Sequence, residues 1–200
     1  MLNKKALAGT PSTPPVFVED VFSTWLYTGT GANQTITNDI DLAGKGGMVW
    51  IKSRTSIPSS TAHMIADTVR GPTVTISSDT DSGNEADTDR YQSFNNNGFS
   101  IKTSARLNYS ANPYVSWTFR KQAKFFDVVT YTGNGSARTI SHNLGSVPGM
   151  IIVKRTDTTG DWQVYHRANT ANPETDYLVL NSTAATADSD TRWNLSLIHI

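Results

Sequence analysis

From residue 21 to residue 119 apolar and polar residues alternate in short runs rather than in a helical period. Residues 21–27, 48–52, 64–69, 73–77 and 114–119 are rich in β-branched and aromatic side chains and are bounded by Gly, Asn, Pro or Ser. Each predicts a strand with alternate side chains turned to a core. Residues 93–101 predict a hairpin, in which Asn97-Gly98 supplies the positive φ angles of a tight turn. The same texture resumes after Lys124, with strands expected at 126–131, 150–153, 162–166 and 177–180. No stretch keeps apolar residues at i, i+3, i+4 and i+7 over successive turns, so helices should be rare.

The pattern is written twice. Tyr27-Thr-Gly-Thr-Gly31 returns 104 residues later as Tyr131-Thr-Gly-Asn-Gly135, and Thr35-Ile36 returns as Thr139-Ile140. The run 47–52 (Gly-Met-Val-Trp-Ile-Lys) returns at 149–154 (Gly-Met-Ile-Ile-Val-Lys) at an offset of 102, which Arg90-Tyr91 and Arg192-Trp193 keep. A period of this length describes a domain rather than a solenoid unit. An all-β protein of two tandem β-sandwich, jelly-roll-like repeats is therefore expected. The divisions are an extended tail or linker over 1–15, a first repeat over 16–122 and a second over 123–194. Only the short segment 120–124 joins the repeats, so they are expected to touch. The second repeat is expected to be incomplete. Residues 195–200, Leu-Ser-Leu-Ile-His-Ile, resemble the translation of a transposase adaptor used for sequencing libraries, which makes them a non-native tail on this reading.

Charge and composition narrow the function classes. The 17 basic and 17 acidic residues cancel, and no basic run occurs. The electrostatic footprint of a nucleic-acid binder is therefore missing. With no Cys, disulfides, thiolate catalysis and Cys-ligated zinc are excluded. No apolar run approaches the ~20 residues that span a bilayer, so membrane insertion is not expected.

Candidate chemistry is sparse. Asp79, Asp81, Glu85, Asp87 and Asp89 could offer hard oxygen ligands to Ca²⁺, but Asn84 and Arg90 stand where an EF-hand loop needs Gly and Glu. A solvated loop is the expectation. His63, His142, His166 and His199 show no ligand spacing, and no nucleophile elbow or phosphate loop is present. No catalytic residue, metal site or cofactor is expected. Trp162, beside the turn Thr158-Thr-Gly-Asp161, is expected to be the most exposed Trp. With Tyr165 it could stack on a sugar, because an aromatic face matches the apolar face of a pyranose. Arg70 and Arg167 each follow a strand pattern and complete the candidate ligand set; for Arg70, pairing with Asp67 is the competing role. Gly29, Gly31, Gly133 and Gly135 lie between strand patterns and are expected to form hairpin turns.

Taken together, the Tyr-Thr-Gly-x-Gly-x(3)-Thr-Ile opening at 27–36, the strand 48–54 and the turn Asp67-Thr-Val-Arg-Gly71 resemble an uncharacterised repeat domain. Ser93-Phe94-x(3)-Gly98-Phe99 and Tyr114-Val-Ser-Trp117 complete the resemblance, which runs from Asp20 to Trp193. That domain occurs in tailed marine bacteriophages, beside lectin-like jelly rolls in tail-fibre or other virion proteins. The resemblance implies a non-enzymatic building block of a virion, with other virion proteins as partners and a homo-oligomer compatible with the role. The alternative it leaves open is a carbohydrate-binding, lectin-like module for host surface glycans. A depolymerase fragment is a third reading. The family has no agreed catalytic residues to carry over.

Overall fold

The structure is a computed structural model and describes residues 15–56 and 63–193. Most of the expected 1–15 tail, the loop 57–62 and the segment 195–200 lie outside the described residues. Among the described residues the fold is all-β, with two α-helices of four residues each and one 3-10 turn, Val18–Asp20. The described residues form three sheets, and every pairing in them is antiparallel.

The first sheet has six strands. In spatial order they are β1 (Phe22–Thr28), β9 (Pro113–Arg120), β3 (Gly47–Ser53), β4 (Met64–Asp67), β5 (Val74–Ser77) and β6 (Glu85–Ala86). Facing it is a sheet of β2 (Gln34–Thr37), β8 (Gly98–Ile101) and β7 (Tyr91–Asn95). The two-residue period of β3 decides the packing. Val49 and Ile51 are fully buried toward the smaller sheet, where Ile36, Tyr91, Phe99, Ile101, Leu107 and Tyr114 complete the core. Met48 and Trp50 point the other way, into a second apolar cluster with Ile65 and Ile76.

Two expectations about glycines change. β1 and β2 belong to different sheets, so Gly29 and Gly31 form a crossing between layers and not a hairpin. The Gly29 N–H donates to Asn112 O and the Gly31 N–H to Asn108 O, each at 2.8 Å. A Cβ on Gly29 would stand 2.2 Å from Tyr109 O, which is why the crossing needs glycine. Asn108, fully buried, ties this crossing down: its Oδ1 accepts from Thr30 N–H at 2.8 Å and its Nδ2 donates to Lys102 O at 2.8 Å. In the β7–β8 hairpin, Asn95 pairs with Gly98, so Asn96 and Asn97 make the turn. Gly98 lies in the strand at φ 145°, where a Cβ would meet Ile36 O of β2 at 2.0 Å. Its purpose is close approach of backbones.

The third sheet contains β10 (Met150–Val153), β11 (Gln163–His166), β12 (Asp176–Val179) and β13 (Ala187–Asp188), in that order. Its ladder reproduces that of β3–β6. Met48 pairs with Asp67 as Met150 pairs with His166. Met64 pairs with Ser77 as Gln163 pairs with Val179, and Val74 with Ala86 as Asp176 with Asp188. The offset is 102 for β10 (150 − 48), β12 (179 − 77) and β13 (188 − 86), and 99 for β11 (166 − 67). The region following Lys124 is otherwise different. The strand expected at 126–131 does not form beyond a single bridge from Phe126 to Gln122. The reason is partnership: β1 is held by β9 along seven paired residues, and no described strand runs beside 126–131. Tyr27 and Tyr131 consequently differ, at 8% and 49% exposed.

The sheets touch through Trp162. It is 5% exposed and packs with Ile65 and Ile76 on the outer face of the first sheet. Beside it, Asn84 N–H donates to Thr156 O at 2.7 Å and Gly160 N–H to Asp81 O at 2.8 Å. At the junction Lys121 Nζ meets Asp127 Oδ1 at 2.8 Å, and Asp127 Oδ2 accepts from Asn143 N–H. Burial alone would push the Asp127 carboxyl up, but the Lys121 ammonium and the N–H groups of Asn143 and Val128 outweigh it and hold it below the usual range.

Candidate functional site

The four residues expected to bind a ligand do not converge. Trp162 was expected to be exposed; it is instead a core residue, whose Nε1–H donates to Ser77 O at 3.0 Å and Thr80 O at 3.1 Å. The turn before it is capped by the first sheet, which no local signal announces. Tyr165, in the strand β11 that starts just after Trp162, faces the other side. It is buried against Trp193, with ring centroids 5.9 Å apart and edges to faces. Arg70 takes the structural role: Nε donates to Asp67 Oδ2 at 2.6 Å, and Asp67 Oδ1 accepts from the N–H groups of Val69 and Arg70. Arg167 is exposed, and its N–H donates to Gly149 O just as Thr68 N–H donates to Gly47 O. Its positional equivalent is therefore Thr68, and that of Arg70 is Asn169 (70 + 99).

The acidic segment is not a solvated loop throughout. Arg90, 5% exposed, pairs with Glu85 Oε2 at 2.6 Å and lies 2.9 Å from Asp87 Oδ2. Arg106 reaches the same Glu85 oxygen at 3.0 Å. Asp79 Oδ1 accepts from His63 N–H, and Asp81 O accepts from Lys154 Nζ. Among the described residues no group of His, Cys, Asp and Glu is arranged to hold a metal ion.

His63 bridges to Trp50, whose Nε1–H donates to its Nδ1 at 3.0 Å. Burial first, and then the nearby Lys52 charge, push the imidazole below its ordinary value, against the opposing pull of Asp79. The neutral ring is thus the folded form. Its contribution to stability is present above about pH 6.5 and is lost as pH falls through the lower folded midpoint. An NMR titration should place the His63 midpoint below that of a His-containing peptide; a midpoint at or above it would contradict this environment.

One cleft of about 400 Å³ opens in the third sheet, lined by Tyr131, Val153, Gln163, Ser189, Arg192 and Trp193 among others. Gln163 Oε1 and Trp193 Nε1 are buried there without a hydrogen-bond partner among the described residues. They are an acceptor and a donor in one concavity. Arg192 stands at the position of Arg90 (90 + 102), yet its surroundings have changed. Glu85 and Asp87 are replaced at that offset by Ala187 and Ser189, and Thr75 by Tyr177. The guanidinium lies 4.0 Å over the Tyr177 ring, and among the described residues no carboxylate pairs with it. Sequence reasoning missed this cleft, although a signal was available: an Arg recurs 102 residues after Arg90, while neither of its carboxylates does.

Layered antiparallel sheets around aromatic cores define this chain as an all-β sandwich protein. It belongs to the family described as Domain of unknown function (DUF7483), which matches residues 18–198. No curated protein and no solved structure matches the chain.

Proposed function

We propose that this protein is a non-enzymatic structural component of a phage virion, a tail-fibre-like or other appendage protein assembled from repeated β modules. The observation that supports the reading most is the third sheet. Its strands repeat the order and register of β3–β6 and dock through a buried Trp162, as modules of a rigid rod would. Its partners on this reading are other virion proteins. Immunogold labelling of particles from the phage that encodes the chain tests this, with decoration of a tail appendage as the expected result. Release of reducing ends from host capsule or lipopolysaccharide by the purified protein, abolished by one carboxylate substitution, would overturn it.

The cleft favours a second reading, a lectin-like module for host surface glycans. Trp193 and Tyr131 offer rings, and Gln163 and Arg192 offer polar groups that no described side chain neutralises. The Arg192 cation suits a sugar bearing a carboxylate. A glycan array should show retention of acidic over neutral glycans that Arg192→Met abolishes. Equal retention by that variant would remove the cleft from consideration.

A further inference from the structure

We infer that the free edge of β10 is an acceptor for an extended polypeptide strand with the side-chain pattern of β9, added antiparallel in the register that β9 uses on β3. The argument starts from the first sheet, where β3 has a neighbour on each side. β4 lies on one side, and β9 pairs on the other from Gly47↔Arg120 to Ser53↔Tyr114. β10 repeats β3 and keeps only the first neighbour, β11, so no described strand borders its other edge. An open edge exposes a row of unpaired N–H and C=O groups, the template for strand addition.

The side chains specify the occupant. On β3 the outward pairs are Met48↔Phe119, Trp50↔Trp117 and Lys52↔Val115. Moved by 102, they become Met150, Ile152 and Lys154 facing a Phe, a Trp and a Val. Met150 and Ile152 are 51% and 39% exposed, whereas Met48 and Trp50 are partly covered, Trp50 by the Trp117 ring at 5.9 Å. On the inner side, Ile151 and Val153 would meet the small polar Thr and Ser that Val49 and Ile51 meet. The incoming strand also supplies what 126–131 lacks. Tyr27 stacks on Tyr114 of β9, centroids 5.2 Å apart, and Tyr131 would find the same partner. A second copy of this chain is a poor donor, because its β9 is held between β1 and β3. The occupant is therefore a segment outside the described residues that alternates Tyr, Ser and Thr with Val, Trp and Phe.

A labelled peptide with the sequence of residues 111–122, titrated into the full chain, tests this. The expected result is saturable one-to-one binding, with new amide protection at 150–153 and at 126–131. A peptide of the same composition in scrambled order should bind at least about tenfold more weakly, as should the peptide carrying Trp117→Lys, which leaves the protein unaltered. Ile152→Lys in the chain should weaken binding similarly while protection of β3 and β8 stays unchanged. Equal binding of the scrambled peptide, or protection confined to other strands, would overturn the inference. So would full protection of 150–153 before peptide is added. Self-association of the chain with protection at 150–153 would assign the edge to a second copy and overturn it as well.

Discussion

Replacing Trp162 by alanine should cost about 3 to 5 kcal/mol, the range for emptying a buried aromatic site. The expected consequence is loss of docking between the sheets, with the first sandwich left standing. Trp162 supplies the centre of the contact: its ring is covered by Ile65 and Ile76, with Met48, Trp50 and Leu180 around it. Its Nε1–H is shared by two carbonyls, Ser77 O and Thr80 O, which would both lose a donor. What remains across the contact is polar and lies at loops, chiefly Asn84 N–H to Thr156 O and Gly160 N–H to Asp81 O. Bonds of that kind contribute roughly 1 kcal/mol each and do not replace a buried ring. Hydrogen exchange of the alanine variant should show β11 and β12 losing protection while Val49, Ile51, Phe99 and Ile101 keep theirs. Trp162→Phe should fall between, since it retains apolar bulk without the donor. Unchanged protection in the alanine variant would mean that the sheets are held by something else.

Arg90→Met should be nearly as damaging, at about 3 kcal/mol, because it leaves carboxylates without their cation in a largely enclosed place. Arg90 joins three side chains at once. It donates to Thr75 Oγ1 of β5 and pairs with Glu85 of β6 and with Asp87 beyond it. The Asp87 contact is an ion pair and not a hydrogen bond, since Arg90 Nε lies 2.9 Å away but is directed off the line. The two carboxylates are about a quarter exposed, at 27% and 28%, which places the cost at the low end of the range for buried pairs. Arg90→Lys should not restore stability, because a single ammonium cannot span the positions that a planar guanidinium reaches. Denaturant midpoints give the measurement. Glu85→Gln in the Arg90→Met background should recover part of the loss, and strict additivity of the two changes would argue against a coupled network. Salt separates this network from surface pairs. Arg155–Asp157, with side chains 61% and 71% exposed, should contribute little and be screened, while the Arg90 contribution should persist.

Much of the strand layout was legible along the chain. Residues 48–52, 73–77 and 114–119 lie in β3, β5 and β9 within a residue or two, because burying one face of a strand imposes a two-residue period that any reader of the sequence can see. The pairing of Arg70 with Asp67 was legible for a similar reason, since both groups sit in one turn. The pairs of β10, β12 and β13 lie 102 residues beyond those of β3, β5 and β6, the spacing at which the sequence pattern recurs.

The remainder depended on contacts between distant residues. Alternation says that a side chain faces inward, and it is silent about which layer lies there. It could not tell that β1 and β2 enter different sheets, nor that Gly98 serves a neighbouring strand. Trp162 follows a polar turn and looks exposed until a sheet from earlier in the chain covers it. Residues 126–131 show the converse. Their pattern is that of a strand, yet a strand exists only where another backbone satisfies its N–H and C=O groups. The amino-acid sequence determined which segments could become strands and which residues suit a core; tertiary pairing alone decided which of them did, because every ladder hydrogen bond of a strand needs a group on a neighbouring backbone.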